Sequence, residues 1–201
     1  MLDGPVRARI GPPLDGVAGR LDVRGIRAGH VTAAALAVGI GACVAAALAA
    51  WWAALGLWLA NRALDGLDGA LARRRGATDL GGLLDFTADF VVYGGFVVGV
   101  AVAVPDARLA CCALLAAYLL NNVVQLSFAS LVEKRRLPYG DERSLRLTPG
   151  LTEGTETVLA YGAFCLVPAH AAVVAWVFAA MVLFTAGQRV ALARRVLAAP
   201  R

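Results

Sequence analysis

Apolar residues run along this chain in long blocks separated by short polar stretches, and the blocks have the length of membrane crossings. Val31 to Ala50 is the first, close to the roughly 20 residues needed to cross a hydrocarbon layer about 30 Å thick. Ala53–Arg73, Leu80–Val104, Ala107–Val132, Gly150–Pro168 and Ala171–Leu192 follow. The pattern therefore predicts an all-α, polytopic membrane protein with six transmembrane helices. The breaks carry their own signals. Trp51 and Trp52 stand where an aromatic belt would lie, Arg73-Arg74-Arg75 closes the second block, and Pro105-Asp106 stops the third. Before the first block, Leu14, Val17 and Leu21 recur at i, i+3 and i+7 and, with Ile10, outline an apolar face among arginines. That face predicts an interfacial amphipathic helix. With no apolar core before residue 31, the stretch does not read as a secretory signal. Two units are expected: an interfacial segment over 1–29 and a six-helix membrane domain over 30–201.

Composition agrees with the pattern. The chain is 60% hydrophobic and only 16% charged, which places it outside the soluble globular class. Its net charge of +5 could suggest nucleic acid, yet no basic aromatic stripe or helix-turn-helix pattern accompanies it. Membrane topology explains the charge better. With six crossings, all of the 19 Lys and Arg fall on or near the side of the termini except Arg62 and Arg108. By the positive-inside rule that side is cytoplasmic. Cys43, Cys111, Cys112 and Cys165 lie in apolar segments without metal-site spacing and read as small packing residues.

The chemistry is concentrated between Asn61 and Asp89. If two helices break near Arg75-Gly76, Asp65, Asp68, Gly69 and Ala72 fall at i, i+3, i+4 and i+7, and Gly81, Asp85 and Asp89 at i, i+4 and i+8. Each helix then carries an acidic stripe, and a short turn makes the helices antiparallel neighbours whose stripes can face. Each carboxylate costs roughly 2.5–3.5 kcal/mol at the centre of a membrane helix, and close like charges add repulsion. A positive partner is required. All-oxygen ligands suit a hard cation, so Mg²⁺ or Mn²⁺ is expected, with two ions able to bridge four carboxylates. Asp89 lies about ten residues inside the third block, roughly 15 Å deep at the helical rise, which places the site in a cavity below the cytoplasmic surface.

Asp65-x2-Asp68-Gly69-x2-Ala72-Arg73 followed by Gly81-x3-Asp85-x3-Asp89 resembles the signature of the CDP-alcohol phosphotransferases, integral membrane enzymes of phospholipid synthesis. It specifies eight positions over 25 residues, with the turn one residue shorter than in many members. The resemblance implies transfer of a substituted phosphate, most often phosphatidyl from CDP-diacylglycerol, to an alcohol acceptor with release of CMP. It implies metal ligation by Asp65, Asp68, Asp85 and Asp89, with Asp89 as base. Asp65, Asp68, Gly69, Ala72, Arg73 and Gly81 would form the nucleotide and phosphate pocket, and a homodimer in a bacterial inner membrane is expected. The Gly-Leu-Thr-Glu-Gly-Thr-Glu-Thr run of 150–157 resembles one bacterial subgroup of the family.

Several residues admit two readings. Arg62 orients a carboxylate or contacts phosphate, or else snorkels at a helix surface. Asn121, Asn122 and Gln125 line an acceptor cavity, or bond across helices. Glu153 and Glu156 bond acceptor hydroxyls, or favour a helix N-terminus. Arg143, Arg146 or Arg189 would serve a phosphorylated acceptor. Gly95-x3-Gly99 is a close-packing pattern compatible with the dimer. A reading from another class is a cation or proton transporter whose path the acids form.

Overall fold

The structure, a computed structural model, describes residues 11–20, 28–137, 152 and 154–198; among these residues every regular element is helical. Residues 11–20 form α1. The longer helices are α2 (Ala28–Ala47), α3 (Trp51–Arg75), α4 (Asp79–Ala103), α5 (Arg108–Lys134), α6 (Gly154–Leu166) and α7 (Ala171–Leu197). Most of the stretch between the fourth and fifth apolar blocks, which holds Arg143 and Arg146, lies outside the described residues.

Local sequence sets the turns. Pro105 and Pro168 each open a one-turn 3₁₀ helix, Pro105–Ala107 and Pro168–His170, which ends one long helix and feeds the next. Between α3 and α4, Gly76 takes φ +90°, where a side chain would be strained, and Thr78 caps α4 by accepting a hydrogen bond from the Gly81 amide at 3.1 Å.

Four of the helical segments, Ala28–Ala47, Asp79–Ala103, Pro105–Lys134 and Pro168–Leu197, are long and apolar enough to cross a membrane. The 25 residues of α3 have the length, about 37 Å at the helical rise, but carry the arginines and aspartates of the site. The described part of α6 is 13 residues, about 20 Å. Leucines and valines such as Leu83, Leu109, Leu119 and Val102 project outward, as lipid-facing residues do. Trp52 is 79% exposed at the head of α3, where the aromatic belt is expected.

The packing departs from the expectation that α3 and α4 are close neighbours. Their backbones hardly meet; α2 packs against both and wedges them apart. Small residues allow this. A Cβ on Gly39 of α2 would lie 2.4 Å from Val92 Cγ2 of α4 and 2.9 Å from Asn61 Nδ2 of α3. On α4, a Cβ on Gly99 would lie 2.6 Å from the Cys43 carbonyl oxygen, and one on Gly95 3.0 Å from Cys43 Sγ. Gly95 and Gly99 thus seat α4 on α2 within the chain, and this face is not free for a dimer contact.

On the other side, α5 pairs with α7, and α6 contacts both α3 and α7. An aromatic cluster fills the centre: Trp58 stacks on Tyr161 at 4.6 Å between centroids, with Phe96, Phe164 and Phe178 around them. Tyr161 is fully buried and donates to the Tyr93 carbonyl at 2.9 Å. Cys111 and Cys165 are buried in this core and Cys43 half-buried, whereas Cys112 is exposed. The face expected on the N-terminal segment is only partly described, since Ile10 and Leu21 lie outside the described residues. Leu14 and Ala18 turn inward onto Leu67, Ala70 and Leu71 of α3, and Val17 points out.

The wedge makes a prediction. Gly99→Leu should destabilise the protein by about 3 kcal/mol, the upper end of core overpacking, because backbone cannot yield to the new side chain. Gly187→Ala, where nothing lies within 4 Å, should instead raise stability by about 0.5–1 kcal/mol. Thermal unfolding in detergent reads both, and equal effects from the two would contradict the packing described.

Candidate active site

The two acidic stripes meet across the opening that α2 holds between α3 and α4. Asp65 and Asp68 come from α3, and Asp85 and Asp89 from α4. Asp65 and Asp85 lie within hydrogen-bonding reach of each other, and Asp89 acts electrostatically on Asp65, Asp68 and Asp85. Asp68 is the most buried, at 5% exposure, and accepts a hydrogen bond from the Thr32 hydroxyl on α2. The side chains of Asp65 and Asp89 keep 30% and 25% of their surface open.

Arg62 supplies positive charge on the same face. Its Nη2 donates to Asp89 Oδ1 at 2.7 Å, and its Nη1 lies 3.6 Å from Asp65 Oδ2. Snorkelling is therefore not what this side chain does: its guanidinium is aimed at the acids. It also lies over the rings of Trp58 and Tyr93, at 4.8 and 5.0 Å from their centroids.

The donor chemistry suits a hard divalent cation, since carboxylate oxygens are the ligands such an ion takes. The spacing is looser than a coordination shell: among the described residues, no three acidic, histidine or cysteine side chains are close enough together to hold an ion. Ligation by three or more of the acids would need them to draw closer, with Asp89 already paired to Arg62. The residues fit the group in kind.

The rim residues are placed as follows. Arg73 is 65% exposed; it lies along α3 over Gly69, with Nη1 3.4 Å from where a Cβ of Gly69 would stand and Nη2 3.8 Å from Asp15 Oδ1 of α1. Ala72 is half-buried and Gly81 exposed. Asn122 lines a groove of about 520 Å³ with Leu83, Phe86, Thr87 and Phe90, on a different stripe of α4 from Asp85 and Asp89. Asn121 accepts from Arg189 Nη1 at 2.6 Å, joining α5 to α7, so this amide bonds across helices. Gln125 is buried, and its Oε1 has no hydrogen-bond partner among the described residues. Glu156 sits half-buried in the first turn of α6. Arg143, Arg146 and Glu153 lie outside the described residues.

Four residues of the site escape sequence reasoning. Tyr93 continues the Gly81, Asp85, Asp89 spacing by one more step of four, a signal that could have found it. Trp58 and Asn61 precede Arg62 on α3 by one turn and by one residue, and neither stands out in an apolar block. Thr32 leaves no signal, because a lone threonine early in a helix is commonplace. Arg189, one of the cations that would serve a phosphorylated acceptor, is buried, with 8% exposure, and bonds to Asn121.

Comparison with known proteins agrees with the geometry. A family model described as CDP-alcohol phosphatidyltransferase matches residues 26–186. The inner membrane protein YnjF of Escherichia coli (strain K12) is 42% identical over 193 residues, covering 94% of each chain. Among solved structures, Mycobacterium tuberculosis phosphatidylinositol phosphate synthase (PgsA1) with CDP-DAG bound superposes with a TM-score of 0.71 at 21% identity, over 90% of this chain and 93% of that one. The same synthase in complex with manganese and citrate gives 0.70 at 21% identity, over 90% and 88%. At that identity the likeness to the synthase speaks to the fold. The transporter reading of the acids finds no support in any of these likenesses.

Proposed function

The chain belongs to the CDP-alcohol phosphatidyltransferase family, and from that membership we propose that it transfers the phosphatidyl group of CDP-diacylglycerol to an alcohol acceptor, releasing CMP. The observation that carries the reading is the gathering of Asp65, Asp68, Asp85 and Asp89 from two helices into one opening, at the spacing of the family's signature. The synthase with CDP-DAG bound shares the fold and lends support to the donor.

In this proposal Asp65, Asp68, Asp85 and Asp89 hold Mg²⁺ or Mn²⁺, with two ions the natural number for four acids. The manganese complex of the synthase supports the choice of divalent ion. Held by these carboxylates, such ions would supply charge neutralisation of the diphosphate and Lewis-acid polarisation at phosphorus. Gly69, Ala72 and Gly81 admit the nucleotide close to the backbone, and Arg73 offers its planar fork to a phosphate at the mouth. The acceptor hydroxyl oxygen forms a bond to the phosphorus on the lipid side of the diphosphate. The bond from that phosphorus to the bridging oxygen breaks, and CMP leaves with the bond's electrons. Asp89 takes the hydroxyl proton. Arg62, Asn122, Gln125, Arg143, Glu153 and Glu156 are the proposed acceptor-side residues, with Arg62 acting on the acids directly.

We further propose six crossings, counting α3 and α6, with the site opening to the cytoplasm from an inner membrane; the relative named as an inner membrane protein supports the location. The 30–201 segment is proposed as the membrane domain and 1–29 as a cytoplasmic, interfacial segment, of which Leu14 and Ala18 pack on α3. A homodimer is proposed on family grounds, through a face other than Gly95–Gly99.

Purified protein incubated with CDP-diacylglycerol, Mg²⁺ and a panel of alcohols (glycerol phosphate, inositol phosphate, serine) should release CMP with at least one acceptor. Asp85→Asn or Asp89→Asn should lower that rate on the order of 10³-fold without altering elution from a sizing column. A chelator should abolish release, and Mg²⁺ or Mn²⁺ should restore it. CMP release that persists in chelator would refute the metal assignment, and release from neither donor nor acceptor panel would refute the reaction.

A further inference from the structure

Arg62 lies outside the eight signature positions, yet it is the most heavily bonded side chain in the opening. Its guanidinium makes four hydrogen bonds and a further ion-pair contact. Nε and Nη2 donate to Asn61 Oδ1 at 2.9 and 2.6 Å, and Nη2 also donates to Asp89 Oδ1 at 2.7 Å. Nη1 donates to the Tyr93 hydroxyl at 2.7 Å and faces Asp65 Oδ2 at 3.6 Å. Asn61 is held in turn, its Nδ2 donating to the Ala35 carbonyl of α2 at 2.8 Å. The Tyr93 hydroxyl reaches Asp89 Oδ2 at 3.4 Å, so both oxygens of Asp89 are engaged. The guanidinium is 12% exposed between two aromatic rings. A fork so filled has one orientation, and that orientation ties the wedge helix to Asp89 through Asn61.

We infer that Arg62 is a resident counter-cation of the aspartate quartet and the positioning residue for Asp89: it holds that carboxylate in place and competes with divalent ions for its charge. This rests on the proposed reading of the quartet as a divalent-cation site. Two consequences follow, and they run in opposite directions. Removing the positive charge leaves four acids for the ions alone, so affinity for a divalent cation should rise. Releasing Asp89 loses its fixed geometry, so turnover should fall. A residue that only supports the fold would lower both together.

The test uses the full-length protein in detergent. Mn²⁺ binding is titrated by the loss of free-ion electron paramagnetic resonance signal, and thermal unfolding is followed in chelator. Arg62→Gln should bind Mn²⁺ roughly tenfold tighter than the wild type, since unit charges a few ångströms apart interact strongly outside bulk water. In chelator it should unfold about 5 °C lower, the quartet having lost the cation that pairs with Asp65 and Asp89, and saturating Mn²⁺ should close most of that gap. Its kcat should fall roughly 10–100-fold with KM for the donor within about threefold. Arg62→Lys keeps the charge and cannot fill the fork. It should bind Mn²⁺ within about twofold of the wild type while still losing kcat, which keeps the inference testable if the glutamine variant fails to fold. Unchanged or weaker Mn²⁺ binding in Arg62→Gln, or tightening in Arg62→Lys equal to that expected of Gln, would overturn the inference. Failure of the wild type to bind Mn²⁺ would instead overturn the reading of the site on which it rests.

Discussion

Four carboxylates brought within reach of one another below a membrane surface repel, and the fold exists in a form that tolerates this. Each acid costs a few kcal/mol in an apolar setting, so burial of the quartet must be offset by charge and by hydrogen bonds. Arg62 offsets part of it from inside the chain, Thr32 part of it at Asp68, and the remaining surface of Asp65 and Asp89 stays open. The proposed chemistry would bring divalent ions and a diphosphate to the same opening and use what is left uncompensated. The stability cost and the catalytic capacity have one origin.

Helix α2 makes that arrangement mechanically possible. Two consecutive helices joined by a three-residue break would ordinarily pack on each other and close the space between them. Here Gly39, Gly95 and Gly99 let α2 sink against α3 and α4 at near-backbone distance, so the pair stays open on the side of the acids while remaining rigid behind them. The aromatic cluster around Trp58 and Tyr161 braces the opening from below, and the Tyr93 backbone links that cluster to the stripe that ends at Asp89. Site and scaffold share residues.

Much of this was legible in the sequence, for reasons particular to each part. The acidic stripes are readable because helical geometry converts spacings of three and four into a face, and the structure gathers all four acids from two helices. The long apolar blocks are readable by length, although the described part of α6 is short and α3 carries too many charges to qualify by apolarity alone. The wedge is not readable. Neighbours in sequence suggest α3 against α4, and a small-xxx-small pattern announces close packing without naming the partner, so Gly95 and Gly99 point as well to a dimer as to α2. Thr32 and the buried Arg189 depend on contacts between helices far apart in the chain, where no local period survives. Tyr93 was within reach as the next step of its stripe, and an aromatic in an apolar helix simply hides among its neighbours.

The central claim is that α3 and α4 present one divalent-cation site. Crystals of the protein grown with Mn²⁺ and a cytidine nucleotide, with diffraction recorded at the manganese absorption edge, test it directly. Anomalous density is expected between the two helices, within coordination distance of Asp65, Asp68 and Asp85, with the nucleotide diphosphate against it. Density located elsewhere, or none under conditions that sustain CMP release, would contradict the account.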